Sequence, residues 1–141
     1  MGNEELGDDG AALIAAAELK KRLAKRRLSQ VRILLGKETP ESCSGIIRSF
    51  EPDLILILDA ARAGKKPGSI FFVDKKKIAV EEVTTHRVPL KLLAEYLEQT
   101  IGCHVFILGI EPQSCAPGAP LSAPTRRAAA LLASELFSML A

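Results

Sequence analysis

The sequence predicts an α/β fold, a three-layer sandwich built around a mainly parallel twisted sheet. Two observations carry this. The run Leu54–Leu58 is apolar throughout, the mark of a strand covered on both faces, as in parallel sheets, and Val105–Ile110 reads as a further buried strand. Between and around them lie segments with helical apolar spacing, separated by clusters of Gly, Pro and Ser. Alternation of the two element types is the pattern of parallel strands joined by helical crossovers.

In chain order, residues 10–28 read as a helix with Leu13, Ile14, Ala17, Leu23 and Ala24 on one face, and with Asp8 and Asp9 placed to cap its first turn. Val31–Leu35 is a short β-rich run ended by Gly36. Residues 41–49 form a short helix with Pro40 near its start. The strand Leu54–Leu58 runs into Asp59. Ala63–Gly68 is a turn, and Ser69–Val73 a further strand. Residues 89–101 make an amphipathic helix with Leu90, Leu93, Tyr96 and Leu97 inward. Val105–Ile110 is the last strand, a Pro/Gly/Ser-rich loop runs through Pro120, and residues 122–140 close the chain as an Ala/Leu helix. No internal repeat is visible.

The 141 residues, 1–141, suit a single domain with a substantial core. A net charge of +2 gives no footprint for nucleic acid. The basic cluster within Lys20–Arg27 reads as a solvated helix face. Cys43, Cys103 and Cys115 have no CxxC spacing and are odd in number, so reduced thiols that pack in a cytoplasmic protein are expected. No run reaches the roughly 18 to 20 apolar residues that span a bilayer. Gly2–Gly10 holds neither GxGxxG nor a Walker lysine, which speaks against a nucleotide site.

Three polar positions stand out at element ends: Asp9 in Asp8-Asp9-Gly10, Asp59 after its apolar run, and His86 after Thr84-Thr85. Two carboxylates and an imidazole are a ligand set for a divalent metal, provided the fold brings them together. In sheets of this kind the binding crevice lies beyond the carboxyl ends of the strands, the edge to which Asp59 and Asp9 both belong. Each residue also has a plainer reading. Asp8 and Asp9 suit a helix cap, Asp59 a turn, and His86 a surface or capping position. His104, just before a strand, reads as structural.

Taken together, Gly2-Asn3-x4-Asp8-Asp9-Gly10, Pro52–Ala61 around Asp59, the turn Gly64–Ile70, Thr84-Thr85-His86 with Val88-Pro89-Leu90, Phe106–Pro112 and Leu121-Ser122 resemble the hydrogenase maturation proteases. The branch that processes formate-hydrogenlyase-type [NiFe] hydrogenases is the one they resemble most. The resemblance covers nearly the whole chain and implies a phosphorylase/hydrolase-like sandwich. It further implies a nickel-dependent endopeptidase that removes the C-terminal extension of a [NiFe] hydrogenase large-subunit precursor after nickel insertion. By the same resemblance Asp9, Asp59 and His86 engage nickel supplied by the precursor.

The chain departs from the family pattern in two places. Leu35, in Leu35-Gly36-Lys37-Glu38, stands where relatives carry an Asp before glycines, with Glu38 nearby. No strand precedes Gly2, so the domain reads as N-terminally short, lacking the usual first strand. These departures keep open a second expectation: a non-proteolytic relative that binds the large subunit or its metal centre.

Overall fold

The computed structural model describes residues 1–26, 28–77 and 90–141. A 3-10 turn, Gly7–Gly10, leads into α1 (Ala11–Leu23). A second 3-10 turn, Pro40–Cys43, leads into α2 (Ser44–Phe50). Then follow β1 (Leu54–Ala60), β2 (Ile70–Phe72), α3 (Leu90–Ile101), β3 (His104–Ile110) and α4 (Ala123–Leu140).

The sheet has the order β1-β3-β2. β1 and β3 are parallel in the register Leu54↔His104 through Ala60↔Ile110, and β2 joins the other edge of β3 antiparallel, Ile70↔Ile110 to Phe72↔Leu108. The α/β class is therefore as predicted, with one antiparallel edge strand that the apolar pattern did not announce. Because side chains alternate across a strand, β3 feeds two cores. Val105 and Ile107, with Ile57 of β1, meet Leu90, Leu93, Ala94 and Leu97 of α3. Leu108 and Ile110 meet Ala11 and Ala15 of α1 and Ala128, Ala129 and Leu132 of α4. The small residues facing each other let α1 and α4 approach closely over the sheet.

Four details differ from the sequence expectations. Val31–Leu35 forms no strand. Among the described residues it pairs with no strand, the sheet consisting of β1, β3 and β2, and a run of β-prone residues becomes a strand only through a ladder partner. At its far end the Lys37 carbonyl accepts the Gly2 N–H at 3.0 Å. α1 ends at Leu23 rather than continuing to residue 28, and its inner face is Ala11, Ala12, Leu13, Ala15, Leu19 and Leu23, with Ile14, Ala17 and Ala24 outward. In an Ala/Leu-rich stretch apolarity marks every side, so periodicity is a poor guide to the buried one. On α3 it is Ala94 that is buried, while Tyr96 is exposed. Strand β1 runs one residue past Asp59, to Ala60.

Much of the basic cluster is solvated, as expected. Lys20, Lys21, Lys25 and Arg26 are exposed. All three cysteines are free thiols, with Cys103 buried in the α3 core and Cys43 and Cys115 half-buried. No helix among the described residues is long and apolar enough to cross a membrane.

Candidate active site at the carboxyl edge of the sheet

Asp59 is the sixth residue of β1 and is wholly buried. In its cross-strand row stand Gly109 of β3 and Phe71 of β2. A Cβ on Gly109 would meet the Phe71 ring at 2.8 Å and the Ala61 Cβ at 2.9 Å, so glycine is what lets the ring approach the strand this closely. The Lys65 ammonium sits 5.4 Å from the centroid of that ring, within cation–π reach.

Asp9 arrives from the Gly7–Gly10 turn, which packs against β1, and is almost fully buried. Its Oδ2 accepts the Asn3 N–H at 2.8 Å. The Asn3 side chain in turn accepts the Glu5 N–H at 2.8 Å and donates to Glu38 Oε1 at 2.6 Å. The loop is wound tightly enough that a Cβ on Gly2, at φ 122°, would lie 1.9 Å from the Asp9 carbonyl oxygen. The Met1 ammonium donates to the Leu58 carbonyl at 2.7 Å. Burial lowers its pKa, against the opposing charges of Asp59 and Asp9. Both carboxylates thus act on one point beside the end of β1.

Asp8 and Asp9 do not cap α1 as the sequence suggests. Gly10 occupies the N-cap and no side chain bonds there. Asp8 instead turns toward α4 and the preceding loop, wholly buried. Its Oδ1 accepts the Ser122 N–H at 2.7 Å. Its Oδ2 accepts the Gln113 N–H at 2.7 Å and the Ser114 N–H at 3.2 Å, and lies 2.8 Å from the Ser122 hydroxyl and 3.1 Å from that of Thr125. The Asp8 N–H returns a bond to the Ser114 carbonyl at 2.9 Å. Burial pushes the Asp8 pKa up, but the bonds from Ser122, Gln113 and Ser114 outweigh it and hold the carboxyl below its ordinary value.

Glu111, also buried, ties the remaining loops together. Its Oε2 accepts the Ala63 N–H at 2.7 Å, while its backbone exchanges bonds with Gly68 and Ser69 at 2.8 and 2.9 Å. The loops after β1 and β3 and the Gly2–Gly10 loop therefore share one bonded frame. Thr125 escapes a sequence reading, and although Asn3, Glu38, Glu111 and Ser122 fall within or beside the quoted motifs, their bonding roles are not legible there. A partial signal exists for Ser122, a serine before Ala123-Pro124 in the pattern of a helix N-terminus.

Of the three predicted ligands, Asp9 and Asp59 come to the same edge from separate elements, and His86 lies outside the described residues. Among the described residues no trio of His, Cys, Asp or Glu stands in a metal-holding arrangement. Burial, then the nearby Asp9 charge, raises the pKa of Cys115, and burial raises that of Cys103, so neither favours thiolate.

Fold and site together define an α/β protein with a carboxylate site at the carboxyl edge of a parallel strand pair. Its relatives narrow this class. The sequence profile of the hydrogenase maturation proteases (HycI) matches residues 14–139. The hydrogenase 3 maturation protease of Escherichia coli K12 is 35% identical over 129 residues, covering 91% of this chain and 80% of its own. The crystal structure of the [NiFe] hydrogenase maturation protease HycI from Thermococcus kodakarensis superimposes with a TM-score of 0.89 at 32% identity, covering 99% of this chain and 87% of that one. The solution structure of the Escherichia coli endopeptidase HycI gives a TM-score of 0.79 at 31% identity, covering 97% and 85%. The chain belongs to the hydrogenase maturation protease family.

Proposed function

We propose that this chain is an endopeptidase that cleaves the C-terminal extension from a [NiFe] hydrogenase large-subunit precursor once nickel is in place. The observation that carries the proposal is the arrival of two buried carboxylates, Asp9 and Asp59, at one sheet edge from elements far apart in sequence. Membership of the maturation protease family supports it.

In this reading nickel comes with the precursor as part of the substrate. Asp9, Asp59 and His86 would engage it, since oxygen and imidazole donors suit nickel. The ion would polarise the scissile carbonyl as a Lewis acid. The chain's own part is to recognise and orient. Oxygen donors brought to one edge from two elements suit a cation, so a precursor carrying its metal docks better than one without. The ladder between β1 and β3 fixes Asp59, and the Asn3 N–H steers Asp9. Cleavage would thereby depend on correct metal insertion.

The test is mass spectrometry of a nickel-loaded precursor incubated with the wild type or with Asp9→Ala, Asp59→Ala or His86→Ala. The expected result is a shortened large subunit with the wild type and an intact one with each variant, all four proteins showing the same circular dichroism. Normal processing by all three variants overturns the assignment of the site. An unchanged C-terminus with the wild type overturns the peptidase and favours a non-proteolytic binder of the same partner.

A further inference from the structure

We infer that Asp8 is a positioning residue for this site, a clamp that sets where Asp9 points by locking the Gly7–Gly10 turn to the 113–125 segment. The inference rests on the reading of Asp9 as a site carboxylate. Asp8 and Asp9 are neighbours inside one four-residue 3-10 turn, so a shift of one moves the other. Asp9 Oδ2 accepts the Asn3 N–H. Asp8 takes three backbone N–H bonds and lies near two hydroxyls, while its own N–H is bonded as well. Asp8 therefore anchors the turn to the 113–125 segment, and a change in that anchorage is passed on to Asp9.

The geometry also says why the clamp is a carboxylate. Each Asp8 oxygen faces at least one backbone N–H: Ser122 on Oδ1, Gln113 and Ser114 on Oδ2. An asparagine in either orientation would set its NH₂ against a backbone donor, and only an acceptor on both sides satisfies the pocket. The Ser122 and Thr125 hydroxyls are different, because a hydroxyl can turn to accept as well as donate. Losing one hydroxyl should cost less than losing the charge.

The experiment measures kcat and KM for processing of a nickel-loaded precursor by the wild type, Asp8→Asn, Ser122→Ala and Asp9→Asn. Two-dimensional ¹H–¹⁵N NMR spectra of the same proteins follow the Asn3 amide, which reports the Asp9 carboxylate directly. For Asp8→Asn, kcat should fall by about a hundredfold with KM unchanged, the scale on which misplacement of a reacting group by ~1 Å is felt. The Asn3 amide should move upfield as its bond to Asp9 lengthens. For Ser122→Ala both effects should have the same sign and be smaller, with kcat down by less than about tenfold.

If Asp8→Asn folds but keeps its kcat and its Asn3 shift while Asp9→Asn is inactive, Asp8 does not position Asp9. If Asp9→Asn itself processes normally, the site reading fails instead, and the two failures are told apart. Should Asp8→Asn not fold, Ser122→Ala decides: a lowered kcat at unchanged KM with a moved Asn3 amide supports the clamp, and wild-type values overturn it.

Discussion

Adjacent identical residues in Asp8-Asp9 have opposite surroundings, and that contrast is the clearest lesson at the scale of single residues. One carboxylate faces a ring of donors in the 113–125 segment, the other faces Asn3 and the end of β1. Nothing in the sequence separates them by chemistry, since both fit a helix start, and the capping role suggested for the pair is taken up at neither. Glu111 teaches the same point. It reads as a loop carboxylate after a strand, yet it is buried and satisfies the Ala63 N–H. Glu111→Ala should cost about 1–3 kcal/mol, the penalty of leaving a buried N–H without its acceptor. Glu111→Gln, whose amide oxygen can still accept, should recover most of that. Urea unfolding of both variants checks the order.

Among the elements, the strands were legible and the helix faces were not. The apolar runs at Leu54–Leu58 and Val105–Ile110 point to strands, and both are found within a residue or two of those bounds, with Leu54 and Phe106 exposed. Val31–Leu35 has the same β-rich composition and fails, because a strand exists only through a partner's backbone. The faces of α1 were misjudged at Ile14, Ala17 and Ala24, and that of α3 at Tyr96, because burial there is decided by what packs opposite. The cross-strand row Asp59–Gly109–Phe71 offers a test at this scale. Gly109→Ala would drive a methyl into the Phe71 ring and Ala61 and should destabilise by about 1–3 kcal/mol. The Phe71→Leu background should soften that cost, because a non-aromatic side chain no longer presses on the added methyl. A double-mutant cycle by thermal unfolding reads the coupling, and additive losses would mean that the ring is not what excludes the Cβ.

For the whole molecule, stability should depend on pH through carboxylates held ionised by the fold. Asp8 and Glu98 both sit below their ordinary values of 3.8 and 4.5. In Glu98 the hydrogen bond from Lys75 is the main cause. A depressed folded pKa contributes stability that is fully present above the unfolded value and is lost as pH falls through the folded one. The denaturation midpoint should therefore hold near neutral pH and decline once pH drops below about 4.5. Glu98→Gln and Asp8→Asn should each flatten that decline, and an equally steep acid limb in both variants would show that other groups carry it. What the sequence determined by itself was the α/β class, the order of the main elements, the family, and a short list of polar residues at element ends. Apolar runs, turn residues and motif spacing are local and survive in one dimension. The tertiary structure alone decided that β2 runs antiparallel, that Val31–Leu35 joins no strand among the described residues, and that Asp9 meets the end of β1 while Asp8 holds the loop before α4. Those outcomes depend on which backbone donors, more than a hundred residues away along the chain for Asp8, are brought against a given carboxylate. Spacing cannot carry that information, because only the closed fold creates the neighbours.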